Sequence, residues 1–214
     1  LLGTAVILLT VAMTFWFLGR KYPKLAVAFL PALAICAIGA GVHLFLDLLN
    51  GYGVKLLWPF SQRWYAWDIT ESVDAWIIFF LVVGLLTPEL FRLVLEEIGS
   101  RPKRHDRERG AMAGLILVVL FIAGRFAAHQ RAIEVLDSRE YRGQAPLQVA
   151  AFPRPATPLV WSGVIETDNA LVNIRVSLSP GSVFDPFDAT VHFKPEPSLA
   201  LENATKSATA REYL

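Results

Sequence analysis

Roughly the first 130 positions of the chain gather their apolar residues into four long runs, and after about Gln144 these give way to short alternating stretches. The runs cover Leu1–Leu18, Leu25–Leu46, Val73–Leu90 and Ala111–Ala128. At ~1.5 Å of rise per residue, a run of about 20 apolar residues matches the ~30 Å hydrocarbon core of a bilayer. The pattern therefore predicts about four transmembrane helices. The third continues as an amphipathic helix through Ile98, because Glu89 and Arg92 stand three apart and can pair. The fourth extends toward Arg139 with mixed charge. Between the second and third runs lies an aromatic-rich segment, Asn50 to Trp67, broken by Gly51, Gly53 and Pro59. Its Tyr and Trp side chains suit the headgroup layer, where an amphipathic ring keeps one end dry and one end wet.

Beyond Gln144 the period changes. Pro146, Pro153, Pro155 and Pro158 punctuate a polar lead-in. Val172 to Leu178 then alternates apolar and polar side chains, as a half-buried strand does, and Ala189 to Lys194 repeats the pattern. Val160 to Thr167 is a third expected strand, with a hairpin turn at Asp168-Asn169. The fold class is thus an α-helical integral membrane protein with a small C-terminal antiparallel β domain outside the membrane, expected to be a partial sandwich. The domains divide at 1–143, transmembrane, and 144–214, extramembrane.

Composition agrees with this division. Of 214 residues, 54% are hydrophobic and only 18% charged, which excludes an ordinary soluble domain. The net charge of +1 points to no nucleic-acid partner. Cys36 is the one cysteine, so neither an intramolecular disulfide nor a thiolate-built zinc site is available. Charge also orients the spans. The loops at 19–24 and 99–110 are basic, are separated by two spans, and so fall on one side, which is the cytoplasm. The loop at 48–72 offsets Lys55 and Arg63 with Asp68 and Glu71 and belongs outside. This places the protein in a bacterial inner membrane with its C-terminal domain periplasmic. The chain begins already inside an apolar run, at Leu1-Leu2-Gly3, and is expected to extend upstream.

Two ionisable residues on the second span stand out. His43 and Asp47 are four apart, so they share one helical face near its outer end. Imidazole and carboxylate on one face suit Zn²⁺ or a similar divalent metal, although a metal site needs three or four ligands. The plainer alternative is a helix-end pair facing headgroups or water. Asp74 opens the third span, where a carboxylate is stabilised by free N–H groups whether or not it has a chemical role. Asp68 lies in the outer loop, as a catalytic candidate or as a solvated partner of Arg63. Arg125 and His129 end the fourth span, with Arg125 reading as a side chain that snorkels to phosphate or pairs with an acid of the cluster. His105 belongs to the basic loop, which also suits contact with anionic lipid. His192 alternates outward on its strand. The chain carries no Gly-rich phosphate loop, G-x-S-x-G elbow, H-E-x-x-H or C-x-x-C.

From His43 to Trp76 the order of His43, Asp47, Tyr52-Gly53, Leu57 to Phe60, Arg63-Trp64 and Asp74 resembles the membrane-bound metal-dependent hydrolase family of bacterial inner membranes. Ala150 to Asn169 is similar to the extramembrane tail of many members. The resemblance implies a divalent metal held by His43, Asp47 and upstream residues of a motif set that this chain does not contain. Asp74 or Asp68 would then orient the metal ligands or act as a base. Members often have Asp-Pro where this chain has Asp74-Ala75, a change of helix-start rigidity more than of chemistry. A lipid or envelope-derived substrate suits a site at the outer face. The competing expectation is a non-catalytic accessory subunit of a larger membrane complex, photosynthetic or respiratory for example. In it the hydrolase-like fold is a packing scaffold, and small residues such as Ala37, Gly39 and Ala40 permit close helix contact.

Overall fold

A computed structural model describes residues 2–21, 29–97, 106–182, 184–196, 198, 203–204 and 206–207. Four helices come first: α1 (Leu2–Lys21), α2 (Phe29–Leu49), α3 (Ala75–Glu97) and α4 (Asp106–Asp137). Four strands follow: β1 (Gln148–Arg154), β2 (Thr157–Glu166), β3 (Ala170–Ser177) and β4 (Thr190–Phe193). Among the described residues, three helical stretches are long and apolar enough to cross a membrane: Phe29–Leu49, Ala75–Val94 and Glu108–Asp137. The hydropathy pattern predicts about four. The difference is α1, a helix of 20 residues over the first apolar run, whose first turns have side chains outside the described residues. Side chains such as Leu30, Ile35 and Ile38 on α2 and Leu85 and Leu90 on α3 are exposed, as lipid-facing residues are.

The helices pack in two pairs, α1 with α2 and α3 with α4. The α3–α4 crossing is built on glycine. A Cβ added at Gly84 would come within 2.8 Å of the Gly114 Cα, and one at Gly114 within 3.1 Å of the Phe80 carbonyl oxygen. Gly110 and Gly114 form a G-x-x-x-G on α4, which lets two backbones approach where lipid supplies no hydrophobic drive for association. Glu89 and Arg92 do pair, at 2.9 Å.

The strands form one antiparallel meander in the order β1-β2-β3-β4. β3 alternates buried Ala170, Val172, Ile174 and Val176 with outward side chains, as its sequence predicts. Thr167 N–H donates to the Ala170 carbonyl at 2.9 Å across the expected Asp168-Asn169 turn. Two expectations change. β1 runs through the proline-punctuated stretch read as a lead-in; Pro153 is accommodated on an edge strand beside a register shift at Pro153/Arg154. And there is no second sheet among the described residues: the layer covering the sheet is α4. Its last turns put Ala132 and Leu136 into a core with Trp161, Ile165, Val172 and Val176. A Cβ at Gly163 would stand 2.7 Å from a Leu136 methyl, so β2 needs glycine there for the helix to seat. One helix therefore serves as a membrane-length span and as half of the sheet's core. Each large apolar side chain buried at this seam contributes ~1.5–3 kcal/mol. Tyr141 closes the helix end by donating its hydroxyl to the Leu136 carbonyl at 2.9 Å, and burial pushes its pKa up to about 12.

Candidate functional site

The end of α2, the loop at 50–74, the start of α3, the end of α4 and the β1–β2 hairpin meet at one end of the bundle. The loop is anchored by what α2 lacks. The last carbonyls of a helix have no intrahelical donor. Here Trp67 N–H donates to the Leu48 carbonyl at 2.9 Å, and Ile69 and Thr70 N–H groups donate to Leu49 at 2.9 and 3.0 Å. Asn50 turns the chain out of the helix, its Oδ1 accepting from the N–H groups of Tyr52 at 2.9 Å and Gly53 at 3.2 Å. Gly53 has φ +68°, and a Cβ there would meet the Tyr65 carbonyl oxygen at 2.7 Å, so only glycine fits. The aromatic segment is consequently a folded strap. Tyr52, Phe60 and Trp64 stand exposed on it, while Leu49, Ile69 and Thr70 are buried beneath.

Each expected site residue has a distinct place. His43 Nε2 lies 3.4 Å from Asp47 Oδ2 on the outer face of α2, with side chains 77% and 35% exposed. Among the described residues, no three His, Cys, Asp or Glu side chains converge as metal ligands would. His43 and Asp47 suit two positions of a divalent ion's shell, and the described residues offer no third. Asp74 caps α3: its Oδ1 accepts from Trp76 N–H at 2.9 Å and Ile77 N–H at 3.4 Å. Asp68 sits on the strap at φ 55°, a conformation that a short polar residue tolerates. Its carboxylate lies against Gly51, where a Cβ would be 3.2 Å from Oδ1. Burial pushes the Asp68 pKa up, against the opposing field of His129. His105 lies outside the described residues, and His192 is exposed on β4 as expected.

Arg125 departs from its expected role. It does not snorkel to phosphate: the residue is 3% exposed. Its Nε donates to the Ile69 carbonyl at 3.1 Å and one Nη to the Pro158 carbonyl at 2.6 Å. The guanidinium carbon stands 4.3 Å from the centre of the Trp161 ring. The planar fork thus ties α4 at once to the strap and to β2, with an aromatic face beneath the charge. Asp74 and Glu71 lie within electrostatic reach of it. One turn on, His129 lies against the Ala151 backbone and packs its ring 5.2 Å from Trp161. Trp161 itself is fully buried, and its indole N–H has no hydrogen-bond partner among the described residues. Trp76 reaches the hairpin from α3, its indole N–H donating to the Ala156 carbonyl at 3.3 Å. A cleft of about 230 Å³ remains between strap and sheet, lined by Tyr52, Thr70, Glu71, Phe152 and Pro153.

Sequence reasoning missed Trp161, which looked like one more alternating strand residue. The signal available for Arg125 was its position inside an apolar run, where a charge needs a partner. The partners, two backbone carbonyls and an indole, carry no sequence mark.

Against known proteins, the family model described as YdjM inner membrane protein matches residues 1–132. No curated protein and no solved structure matches the chain. The matched stretch is more than half of the chain, and the chain belongs to this inner-membrane family.

Proposed function

We propose, for this member of the YdjM inner membrane protein family, that the end of the bundle bearing the β sheet is a periplasmic working face laid out like a membrane-bound metal-dependent hydrolase. His43 and Asp47 are two ligands of a divalent cation, such as zinc. The observation that carries this reading is the 3.4 Å approach of His43 Nε2 to Asp47 Oδ2 on an open helix face. Asp74 and Arg125 at that end are committed to hydrogen bonds within the fold, whereas this pair faces outward. Two ligands fall short of a complete shell. A divalent ion at such a site supplies a Lewis acid and a water acidified toward neutrality. The chain's own residues would then divide the work. Asp68, with its raised pKa, holds or releases a proton at its carboxyl near the strap cleft. Asp74 fixes the start of α3. A lipid or another envelope-derived substrate is the class that suits a site at this depth.

The orientation rests on the basic loops at 19–24 and 99–110, with α1 as a fourth span. The gathering of Trp58, Trp64, Trp67 and Trp76 at the opposite end suits a membrane interface, where such rings are favoured on either side of the bilayer.

A second reading, an accessory subunit using the same fold as a scaffold, is favoured by the Arg125 clamp. Clamping the sheet onto the span ends makes a rigid extramembrane platform for other subunits, with Phe60 and Trp64 exposed beside it.

Metal content decides between the two. The protein purified in mild detergent, wild type beside His43→Ala, is expected to hold metal that the variant loses. Absence of metal from both would remove the hydrolase reading and leave the scaffold, whose test is co-purification with a larger membrane complex.

A further inference from the structure

At the other end of the α3–α4 pair lies a groove of about 350 Å³ open to the surroundings of the helices. Its floor is the glycine crossing of Gly84, Gly110 and Gly114, where the two backbones close directly onto each other and no side chain rises into the groove. Val83, Phe91 and Leu117 form its walls. Thr87 does not make those walls polar, because its hydroxyl donates back to the Val83 carbonyl at 2.6 Å. Arg92, late on α3, and Arg109, early on α4, are its two charged lining residues.

The dimensions match half a bilayer. From Gly84 to Arg92, and from Leu117 back to Arg109, eight residues of helix span ~12 Å, close to one leaflet of a ~30 Å core. Along α4, Arg109 and Arg125 are ~24 Å apart. With Arg125 at the β-sheet end, Arg109 therefore sits at the opposite headgroup layer. Arg92 is steadied there by Glu89, which accepts from its Nε at 2.9 Å. In sequence, the adjoining stretch 101–109 adds Arg101, Lys103, Arg104 and Arg107 against Asp106 and Glu108, an excess of positive charge.

We infer that this groove is a binding site for an anionic phospholipid of the leaflet opposite the β sheet. One acyl chain lies along the glycine floor, and the headgroup phosphate sits on Arg92 and Arg109. The shape takes a flexible hydrocarbon chain, and the two cations at its mouth select a phosphate not cancelled by an amine. A second copy of the chain fits less well, since a helix laid in the groove would press apolar side chains onto two guanidinium groups.

The test is native mass spectrometry of the full chain in mild detergent, titrated separately with phosphatidylglycerol and phosphatidylethanolamine. Wild type is expected to retain phosphatidylglycerol about tenfold better, a preference set by the headgroup charge. The Arg92→Gln, Arg109→Gln double variant loses that preference. Ala113→Phe, which fills the groove from α4 without touching charge, lowers retention of both lipids. It also decides the matter if the double variant does not fold. Equal retention of the two lipids by wild type would overturn the site. So would a preference that survives these variants and disappears only when Arg101, Lys103 and Arg104 are neutralised. Dimerisation through the groove, lost in Ala113→Phe, would replace the lipid by a second copy.

Discussion

Two pairs of ionisable residues stand one helical turn apart at the same end of the bundle, His43 with Asp47 on α2 and Arg125 with His129 on α4, and the fold treats them in opposite ways. The α2 pair faces outward with the His43 side chain 77% exposed, and its two members approach each other. The α4 pair is covered by the strap and the sheet, and Arg125 is committed to two carbonyls and an indole face. The difference comes from the segment that succeeds each helix. After α2 the chain folds back onto its own last carbonyls and leaves the outer face open. After α4 it returns as a sheet laid over the helix end, and charge beneath it must be satisfied from within. Spacing alone thus does not separate an exposed pair from a buried one.

The sealed pair depends most on Trp161. Trp161→Ala should destabilise the protein by ~3–5 kcal/mol, since it empties the core and removes the ring beneath Arg125. Trp161→Phe should cost clearly less, because a ring remains in the core and the indole N–H it removes has no partner among the described residues. Thermal unfolding in detergent reads both, and equal losses would mean that the N–H is bonded after all.

Arg125→Ala comes next, at ~3 kcal/mol for two charge-assisted hydrogen bonds, and limited proteolysis should cut sooner between the sheet and the helices. Arg125→Lys keeps the charge but not the fork, and should recover only part. An unchanged proteolysis pattern would show that Leu136 and its neighbours hold the sheet without the clamp.

A smaller effect separates the strap from the α2 face by pH. Burial raises the Asp68 pKa above its ordinary 3.8, so the folded protein binds a proton there more readily than the unfolded chain. Stability from this group is full below that ordinary value and declines as pH rises through the folded pKa. Asp68→Asn should flatten this decline in the melting temperature measured from pH 4 upward. If the slope is unchanged, Asp68 is solvated and the strap is open.

The smallest expected change in stability is at His43. His43→Ala should stay within ~0.5 kcal/mol of wild type, as exposed substitutions do, while removing any bound metal. A large destabilisation would make His43 structural and erase the contrast with Arg125.

Much of the architecture was readable because its signals are local. The second and third apolar runs are α2 and α3, alternation from Val172 located β3, and Asp168-Asn169 is the turn. Glu89 with Arg92 and His43 with Asp47 pair because helical spacing alone brings them together. Asp74 as a cap followed from its position at a helix start. The proline-rich stretch concealed β1, because proline argues against a strand unless the strand is known to lie at an edge.

Hydropathy and period depend on neighbours in sequence, so a membrane-embedded helical region followed by a small antiparallel sheet was already written in the residue order. Burial depends on what arrives from elsewhere in the chain. Arg125 takes its partners from 56 and 33 residues away, and Leu136 meets a glycine on a strand not yet formed when α4 ends. That α4 is both span and core, and that one i, i+4 pair is sealed while the other stays open, emerged only from the folded assembly. The physical reason is that satisfying a buried charge and filling a core are properties of the assembled seam, whereas crossing a membrane is a property of a single helix.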